Sequence, residues 1–241
     1  VRVYFLVGSD GRSVIGAGDL YPPLGLIIRT PDLVLQPADE TCAVDLANAV
    51  LEHGIHDPSY SPFSTPWTDA DPLTVARSVF TNVLAARSVD PWMLKFVIRL
   101  HGKPIGVMDL RQHADVRDEV GTGSWLLRHT HGKGYGTQAR AAVLKLAFEG
   151  LGVREARTAA YTYNSASLGV TRKLGYVHVE TEERVVRGEH AESHKFAVTR
   201  ELWMNSPAAR SLNPHITWTG LDAVKEYLRI TEPSAIEQEL T

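Results

Sequence analysis

Apolar and polar positions along the chain fall into short stretches of two periods. Residues 1–7 and 12–18 alternate as two short strands around the turn Gly8-Ser9-Asp10-Gly11. The segment Tyr21-Pro22-Pro23-Leu24-Gly25 breaks that pattern, and residues 33–37 form a strand closed by Pro37. From Asp39 to Leu51 the apolar residues Val44, Leu46, Ala47, Val50 and Leu51 recur at helical spacing. The stretch from His56 to Trp67 is too rich in proline for regular structure. Asp71 and Pro72, as N-cap and first helical residue, open a helix running to about Ser88. Residues 92–110 read as a hairpin turning at His101–Pro104, and residues 122–128 as a strand. Three glycines follow, then a helix to about Leu151 with Ala139, Val143, Leu146 and Ala147 on one face. A strand over 156–163 and a helix over 165–175, ended by Gly175, come next. Residues 176–186 and 192–202 pair around Arg187–His190. A short strand at 215–218 and an amphipathic helix from Leu221 to Leu228 complete the pattern. Hairpins mixed with strand–helix–strand units predict an α+β or mixed α/β fold around one sheet.

Composition narrows the class. The chain has 241 residues, is 44% hydrophobic and carries a net charge of −3, which excludes a disordered or polyanion-coating protein. A single cysteine, Cys42, rules out an internal disulfide. On the apolar side of its helix it reads as a core residue rather than an acyl-accepting nucleophile. The apolar runs are far shorter than a membrane span, and no basic segment followed by a long apolar run opens the chain. A soluble cytoplasmic protein is the expectation, with no membrane partner. The absence of a basic, aromatic-interleaved stripe argues against direct nucleic-acid binding.

The glycine stretch is the strongest chemical signal. Gly132, Gly134 and Gly136 lie just before a helix, where bare N–H groups and the helix dipole form an anion site. Phosphate is the first ligand to consider, and a plain helix-capping loop is the alternative. The P-loop pattern fails because Lys133 is followed by Gly134, and the dinucleotide fingerprint fails because its third glycine comes one residue early. Residues 128–173 hold eight Lys or Arg against two acids, whereas residues 30–76 hold eight acids and no Lys or Arg. These are either two solvated faces of opposite sign or a polyanion site and a cation site.

Two separated motifs carry a resemblance. His131 precedes Gly132-Lys133-Gly134-Tyr135-Gly136, and after a strand come Asn164-Ser165-Ala166-Ser167 and Lys173-Leu174-Gly175-Tyr176. This order resembles the GNAT superfamily of N-acetyltransferases, especially its ribosomal-protein-alanine acetyltransferase branch, over roughly Ile27 to Trp203. The resemblance implies a mostly antiparallel central sheet, splayed in the middle and flanked by helices, with acetyl-CoA as co-substrate in the splay. Residues 26–205 would form this domain, with an N-terminal hairpin-like extension over 1–25. A C-terminal extension over 206–241 would pack on it through Leu221, Val224 and Leu228, or on a second subunit in a homodimer.

By the same resemblance, the CoA pyrophosphate would meet the N–H groups of Gly132, Lys133, Gly134, Tyr135, Gly136 and Thr137. The pantetheine arm would pair with Leu126, Leu127 and Arg128. Asn164 and Ser167 would lie near the thioester, and Arg172 and Lys173 near the 3′-phosphate. His131 replaces the family's usual Gln or Arg but keeps a donor. The family's frequent tyrosine acid is absent, since Val170 and Thr171 occupy its frame. That leaves Ser167, Thr171 or water to protonate the thiolate.

Acyl transfer further needs an oxyanion donor, for which the N–H near Leu127 is the candidate, and a base, for which Asp109 is. Ser167 could hydrogen-bond the leaving sulfur or simply cap its helix, and Asp109 could be a solvent-facing strand carboxylate. Tyr60, Phe63 and Trp67 line the acceptor pocket or tuck into the core. In the pocket reading, the acid-rich segment favours a cationic amine: a protein N-terminus, a polyamine, an amino sugar or a peptide antibiotic. His53 with His56 and His129 with His131 lack partners to complete a zinc site, so no metal is expected. Two other functions stay open: the same fold using succinyl-CoA or another acyl donor, and a CoA-binding regulatory module without turnover.

Overall fold

One parallel contact in an otherwise antiparallel sheet organises the molecule. The computed structural model describes residues 6–7 and 13–230. The chain runs β1 (Leu6–Val7), β2 (Ser13–Val14), α1 (Ala17–Leu20), β3 (Ile27–Arg29), β4 (Leu33–Gln36), α2 (Glu40–His53), α3 (Pro72–Ala85), β5 (Met93–Leu100) and β6 (Lys103–Gln112). It continues through β7 (Glu119–Leu126), α4 (Tyr135–Lys145), β8 (Glu155–Tyr161), α5 (Ser165–Lys173), β9 (Val177–Val186) and β10 (Glu189–Thr199). Helices α6 (Arg200–Asn205) and α7 (Pro207–Leu212), strand β11 (Thr217–Thr219) and helix α8 (Leu221–Tyr227) follow. Nine strands form one sheet in the order β11-β3-β4-β5-β6-β7-β8-β10-β9, every pair antiparallel except β7–β8.

Of the first expected hairpin the described residues hold the β1–β2 pair; residues 1–5 and the turn lie outside the described residues. The second of those strands stops at Val14. Glycines at 16 and 18 disfavour strand, and the Asp19 carboxylate accepts the Gly16 N–H at 2.9 Å, starting α1 instead. Helix α2 forms as the periodicity predicts, capped by Asp39 on the Cys42 N–H at 2.7 Å. Its buried face differs from the expected one: Cys42, Leu46 and Val50 face the sheet, while Val44 and Leu51 are each 45% exposed. At 100° per residue, positions 44 and 51 lie nearly opposite Cys42. Asp71 caps α3 on the Thr74 N–H at 3.1 Å, and the helix stops three residues short of Ser88.

Helices cover both faces of the sheet. On one face α2 and α3 pack on Val97, Val107 and Leu127. On the other, α4 and the turn that continues it lay Ala139, Val143, Leu146 and Ala147, all fully buried, on Phe96, Ile98, Met108 and Leu110. The last turn of α4 widens to a π turn over Leu146–Gly150, where the Leu151 N–H reaches the Leu146 carbonyl at 2.9 Å. Gly150 lets Leu221 close in there, since a Cβ would come within 2.9 Å of its side-chain methyl. That contact seats α8, whose Leu221, Val224 and Leu228 are buried in the same core.

Candidate active site

The β7–β8 pairing covers only three steps: Glu119 with Glu155, Val120 with Ala156 and Gly121 with Arg157. Beyond Gly121 the strands part. Two side-chain bonds mark the vertex, Thr158 Oγ1 donating to the Thr122 carbonyl (3.2 Å) and Thr122 Oγ1 meeting the Tyr176 hydroxyl (3.1 Å). On its other edge β7 stays paired with β6 up to Leu126. The Leu127 N–H continues that ladder to the Ile105 carbonyl at 2.8 Å, which fixes the parity. Residues 123, 125 and 127 turn their backbone groups to β6, and those of 122, 124 and 126 face the gap. The Leu126 carbonyl is taken by His131 Nε2 at 2.9 Å. What remains open along the gap is the N–H and C=O of Ser124 and the N–H of Leu126, about 7 Å apart.

At the mouth of the gap stands the glycine loop. Gly132 (φ +75°) and Gly134 (φ +86°) hold left-handed backbone that only glycine adopts without strain, with open space where a Cβ would be. Gly134 is the N-cap of α4, so no side chain covers the helix end. Among the described residues, the N–H groups of Gly132, Lys133, Gly134, Tyr135 and Gly136 bond to no carbonyl or side chain. The Thr137 N–H is committed to the Gly134 carbonyl at 3.0 Å, so the row of free N–H groups ends at Gly136.

Several sequence-predicted positions move once these bonds are counted. The Leu127 N–H belongs to the β6 ladder and the Arg128 N–H donates to the Gly54 carbonyl at 3.0 Å. Neither can pair a strand-like ligand or hold an oxyanion; Ser124 and Leu126 have the backbone groups that can. His131 turns its ring onto Leu126, so Nε2 carries the hydrogen and only Nδ1 is left to face a ligand. Asn164 caps α5, accepting the Ser167 N–H at 3.1 Å, which leaves the Ser167 hydroxyl free of capping duty. Thr171 is fully buried and donates its hydroxyl to the Ser167 carbonyl at 2.9 Å, so its proton is not available to a leaving thiolate. Arg172 and Lys173 are exposed in the last turn of α5.

The opposing α2–α3 face holds the other half of the site. Asp109 stands opposite Gly123 in register, beside Lys95 Nζ at 3.4 Å and Arg111 at 4.0 Å. Its side chain is only 18% exposed, unlike the solvent-facing carboxylate that a surface strand position would give. Burial raises its pKa above the ordinary aspartate value, with Lys95 and Arg111 pulling the other way. At Gly123 a Cβ would lie 3.8 Å from the Arg111 guanidinium and 3.9 Å from the Asp109 carboxylate, which share the space over this glycine. Trp125 is the next residue on that face.

From Trp125 an arc of rings crosses to the end of β8. Trp67 lies 6.4 Å from Trp125, Phe63 5.1 Å from Trp67, and His56 5.6 Å from Phe63 and 5.8 Å from Tyr60. Tyr60 then meets Tyr163 at 6.3 Å, and the Tyr163 hydroxyl donates to the Ser61 carbonyl at 2.7 Å. Phe63 and Trp67 are half-buried, resting on the α2–α3 core with one side outward. The hairpin turn between β9 and β10 fastens this loop from the far side, Arg187 donating to the Asp69 carboxylate and to the Pro58 carbonyl at 3.0 Å.

Part of each charge block seen in sequence is structural. Asp39 and Asp71 cap helices, Asp32 accepts from Gln138, and Asp69 holds Arg187. Arg154 and Arg157 bind Glu119 at the zipped end of the strand pair, at 2.7 and 3.0 Å, far along β7 from the glycine loop. Arg128, Lys133, Arg172 and Lys173 are the exposed cations of the basic block outside that network. Sequence reasoning missed Ser124 and Arg140. Strand parity finds the first only when the ladder is known. The second carried a visible signal, a charged residue next to Ala139 on a helix face otherwise given to the core.

Among the described residues no group of three or more His, Cys, Asp or Glu could hold a metal, and no helix is long and apolar enough to cross a membrane. Residues 32–177 match the family model described as the acetyltransferase (GNAT) domain. Among solved structures, Mycobacterium smegmatis RimJ in complex with CoA-disulfide is similar at 20% identity and a TM-score of 0.63, covering 82% of this chain and 99% of that one. The ribosomal-protein-S5-alanine acetyltransferase of Vibrio fischeri is similar at 16% identity and a TM-score of 0.58, covering 73% and 98%. A probable GNAT-family acetyltransferase from Chromobacterium violaceum is similar at 23% identity and a TM-score of 0.55, covering 75% and 94%.

Proposed function

Because the chain belongs to the GNAT acetyltransferase family, we propose that it moves an acyl group from acyl-CoA, in the first instance acetyl-CoA, directly to a primary amine within a ternary complex. The observation that carries this reading is the row of five uncommitted N–H groups, Gly132 to Gly136, at the mouth of a parted parallel strand pair. Such a row fits a pyrophosphate, and the open edge at Ser124 and Leu126 fits the amides of a pantetheine arm. The RimJ structure, similar in fold, is in complex with CoA-disulfide.

Bound there, acyl-CoA supplies an activated carbonyl and a thiolate leaving group. The Ser124 or Leu126 N–H would hold the carbonyl oxygen as it gains charge. Asp109, opposite Gly123 on the α2–α3 face, would take a proton from the incoming ammonium, directly or through water. Its raised pKa suits a base, since a proton acceptor works best when its pKa approaches the operating pH. The Ser167 hydroxyl, not engaged as the cap, is the candidate partner of the departing sulfur. Arg172, Lys173 and Lys133 would meet the remaining phosphates. The aromatic arc from Trp125 to Tyr163 would form the acceptor wall, and a cationic amine suits rings and carboxylate together.

The test is release of free CoA thiol from acetyl-CoA across peptide N-termini, polyamines, amino acids and aminoglycosides. Acceptor-dependent release establishes the transferase and names the acceptor class. Acetyl-CoA binding without release on any amine would leave a CoA-binding module.

A further inference from the structure

The gap encloses one charge that the phosphate loop does not explain. Arg140 lies one turn beyond Gly136 on α4, faces the sheet and is only 4% exposed. Its guanidinium donates to Ser124 Oγ at 3.1 Å and to Thr171 Oγ1 at 3.5 Å, both neutral hydroxyls. Its Nε is buried with no partner. Among the described residues no carboxylate forms an ion pair with it. Burial lowers its pKa and the Tyr176 phenol offsets this, yet a guanidinium keeps its proton in proteins. A buried cation with neutral partners is costly, and loss of that cost is what an anionic ligand would gain.

The gap is layered. At the mouth Gly136 faces Leu126 and Val170, each 3.7 Å from where its Cβ would be. One turn deeper Arg140 spans Ser124 and Thr171. Deeper still, Thr122, Tyr176 and Thr158 close the floor. The CoA phosphates belong to the N–H row at the mouth. An arm following the open edge from Leu126 to Ser124 brings its far end, the acyl end, to the level of Arg140.

We propose that Arg140 pairs with a carboxylate at the tip of the acyl group, so that the preferred donor is the CoA thioester of a short dicarboxylic acid rather than acetyl-CoA. This rests on the acyl-CoA reading of the gap and deepens it. The chemistry of transfer is unaltered. The amine nitrogen forms a bond to the thioester carbonyl carbon, the carbon–sulfur bond breaks, and the proton lost by the ammonium balances the thiolate that becomes CoA thiol. The distal carboxylate stays a spectator held by the guanidinium.

The experiment compares CoA, acetyl-CoA and succinyl-CoA by calorimetry on the native chain, on Arg140→Met and on Arg140→Lys, with mass spectrometry of the amine product. The native chain is expected to bind succinyl-CoA about tenfold or more tighter than acetyl-CoA, as a charge-assisted hydrogen bond in a buried site would give. Arg140→Met should lose that ratio and Arg140→Lys should keep part of it. Equal affinity of the native chain for the two thioesters overturns the proposal, and needs no variant to fold. A ratio that survives in Arg140→Met, or an equal loss of all three ligands, overturns it too, the latter marking Arg140 as structural. Failure of the native chain to bind any of the three would instead overturn the acyl-CoA reading itself, and the role of Arg140 with it.

Discussion

Strand β7 has two halves that meet the same neighbour and behave in opposite ways. Its first half, Glu119–Gly121, is zipped to β8, and there Glu119 receives Arg154 and Arg157 at 2.7 and 3.0 Å while Glu155 receives Arg157 at 2.7 Å. Its second half, Thr122–Leu126, faces a gap, with neutral hydroxyls and one unbalanced guanidinium instead of ion pairs. A parallel pair of strands needs every ladder bond to stay closed. Where Arg140 of α4, Thr171 of α5 and Tyr176 beyond it lie against the sheet, those bonds are absent and backbone donors are left free. The zipped half holds the strands at a fixed angle; the open half uses that angle. Changes in the open half should therefore alter kinetics, and changes in the zipped half stability.

The largest expected effect is at Asp109. Asp109→Asn should lower kcat by about 100-fold or more, the usual range for a lost proton acceptor, with KM for the acyl donor little changed. Steady-state kinetics as a function of pH checks the sign. Below its raised pKa the native carboxyl is protonated and inactive, so the rate climbs as pH rises through that value, and the variant should lose this limb. The same shift predicts a stability slope. The folded chain binds this proton more tightly than the unfolded one, so the contribution of Asp109 to stability falls as pH rises from the ordinary carboxylate range through its raised value.

Next comes the loop. Gly134→Val forces a β-branched residue into left-handed backbone and covers the N–H row. It should raise KM for acyl-CoA by about 30-fold, a loss of roughly 2 kcal/mol, while kcat at saturation changes far less. Glu119→Gln tests the zipped half. It removes one carboxylate from under two arginines and should cost about 2 kcal/mol of stability, between the values for exposed and buried pairs, read as a lower denaturation midpoint with KM unchanged. A large KM effect there would mean that the two halves are not separable. The smallest effect is expected from His131→Ala: it frees the Leu126 carbonyl, but the outward ring nitrogen, Nδ1, carries no hydrogen in this tautomer, so no donor to the phosphates is lost. KM for acyl-CoA should move by no more than about threefold.

Much of this was written in local chemistry. The alternation and helical periods located β5 through β10 and α2 through α5 because each is a repeat of apolar residues that the chain itself displays. The caps at Asp39, Asp71 and Asn164 act within three residues of themselves, as did the glycines that need positive φ at 132 and 134. Those glycines and the Asn164 to Tyr176 motif were enough to point to phosphate and to the family. Tertiary structure decided what the local pattern cannot carry. Which backbone groups of β7 face the gap depends on the ladder with β6, and of the expected Leu126, Leu127 and Arg128 only Leu126 keeps a free N–H there, joined by Ser124. Which charges are free depends on partners up to 118 residues away, as for Arg187 and Asp69, and that took Asp32, Asp69, Arg154 and Arg157 out of the two charge blocks. Arg140 could be counted as a cation from the chain alone, but only folding buries it with no counter-ion among the described residues. Periodicity and capping are short-range and survive in a string of letters. Register, burial and charge balance are properties of contacts between distant segments, and exist only once the chain has closed.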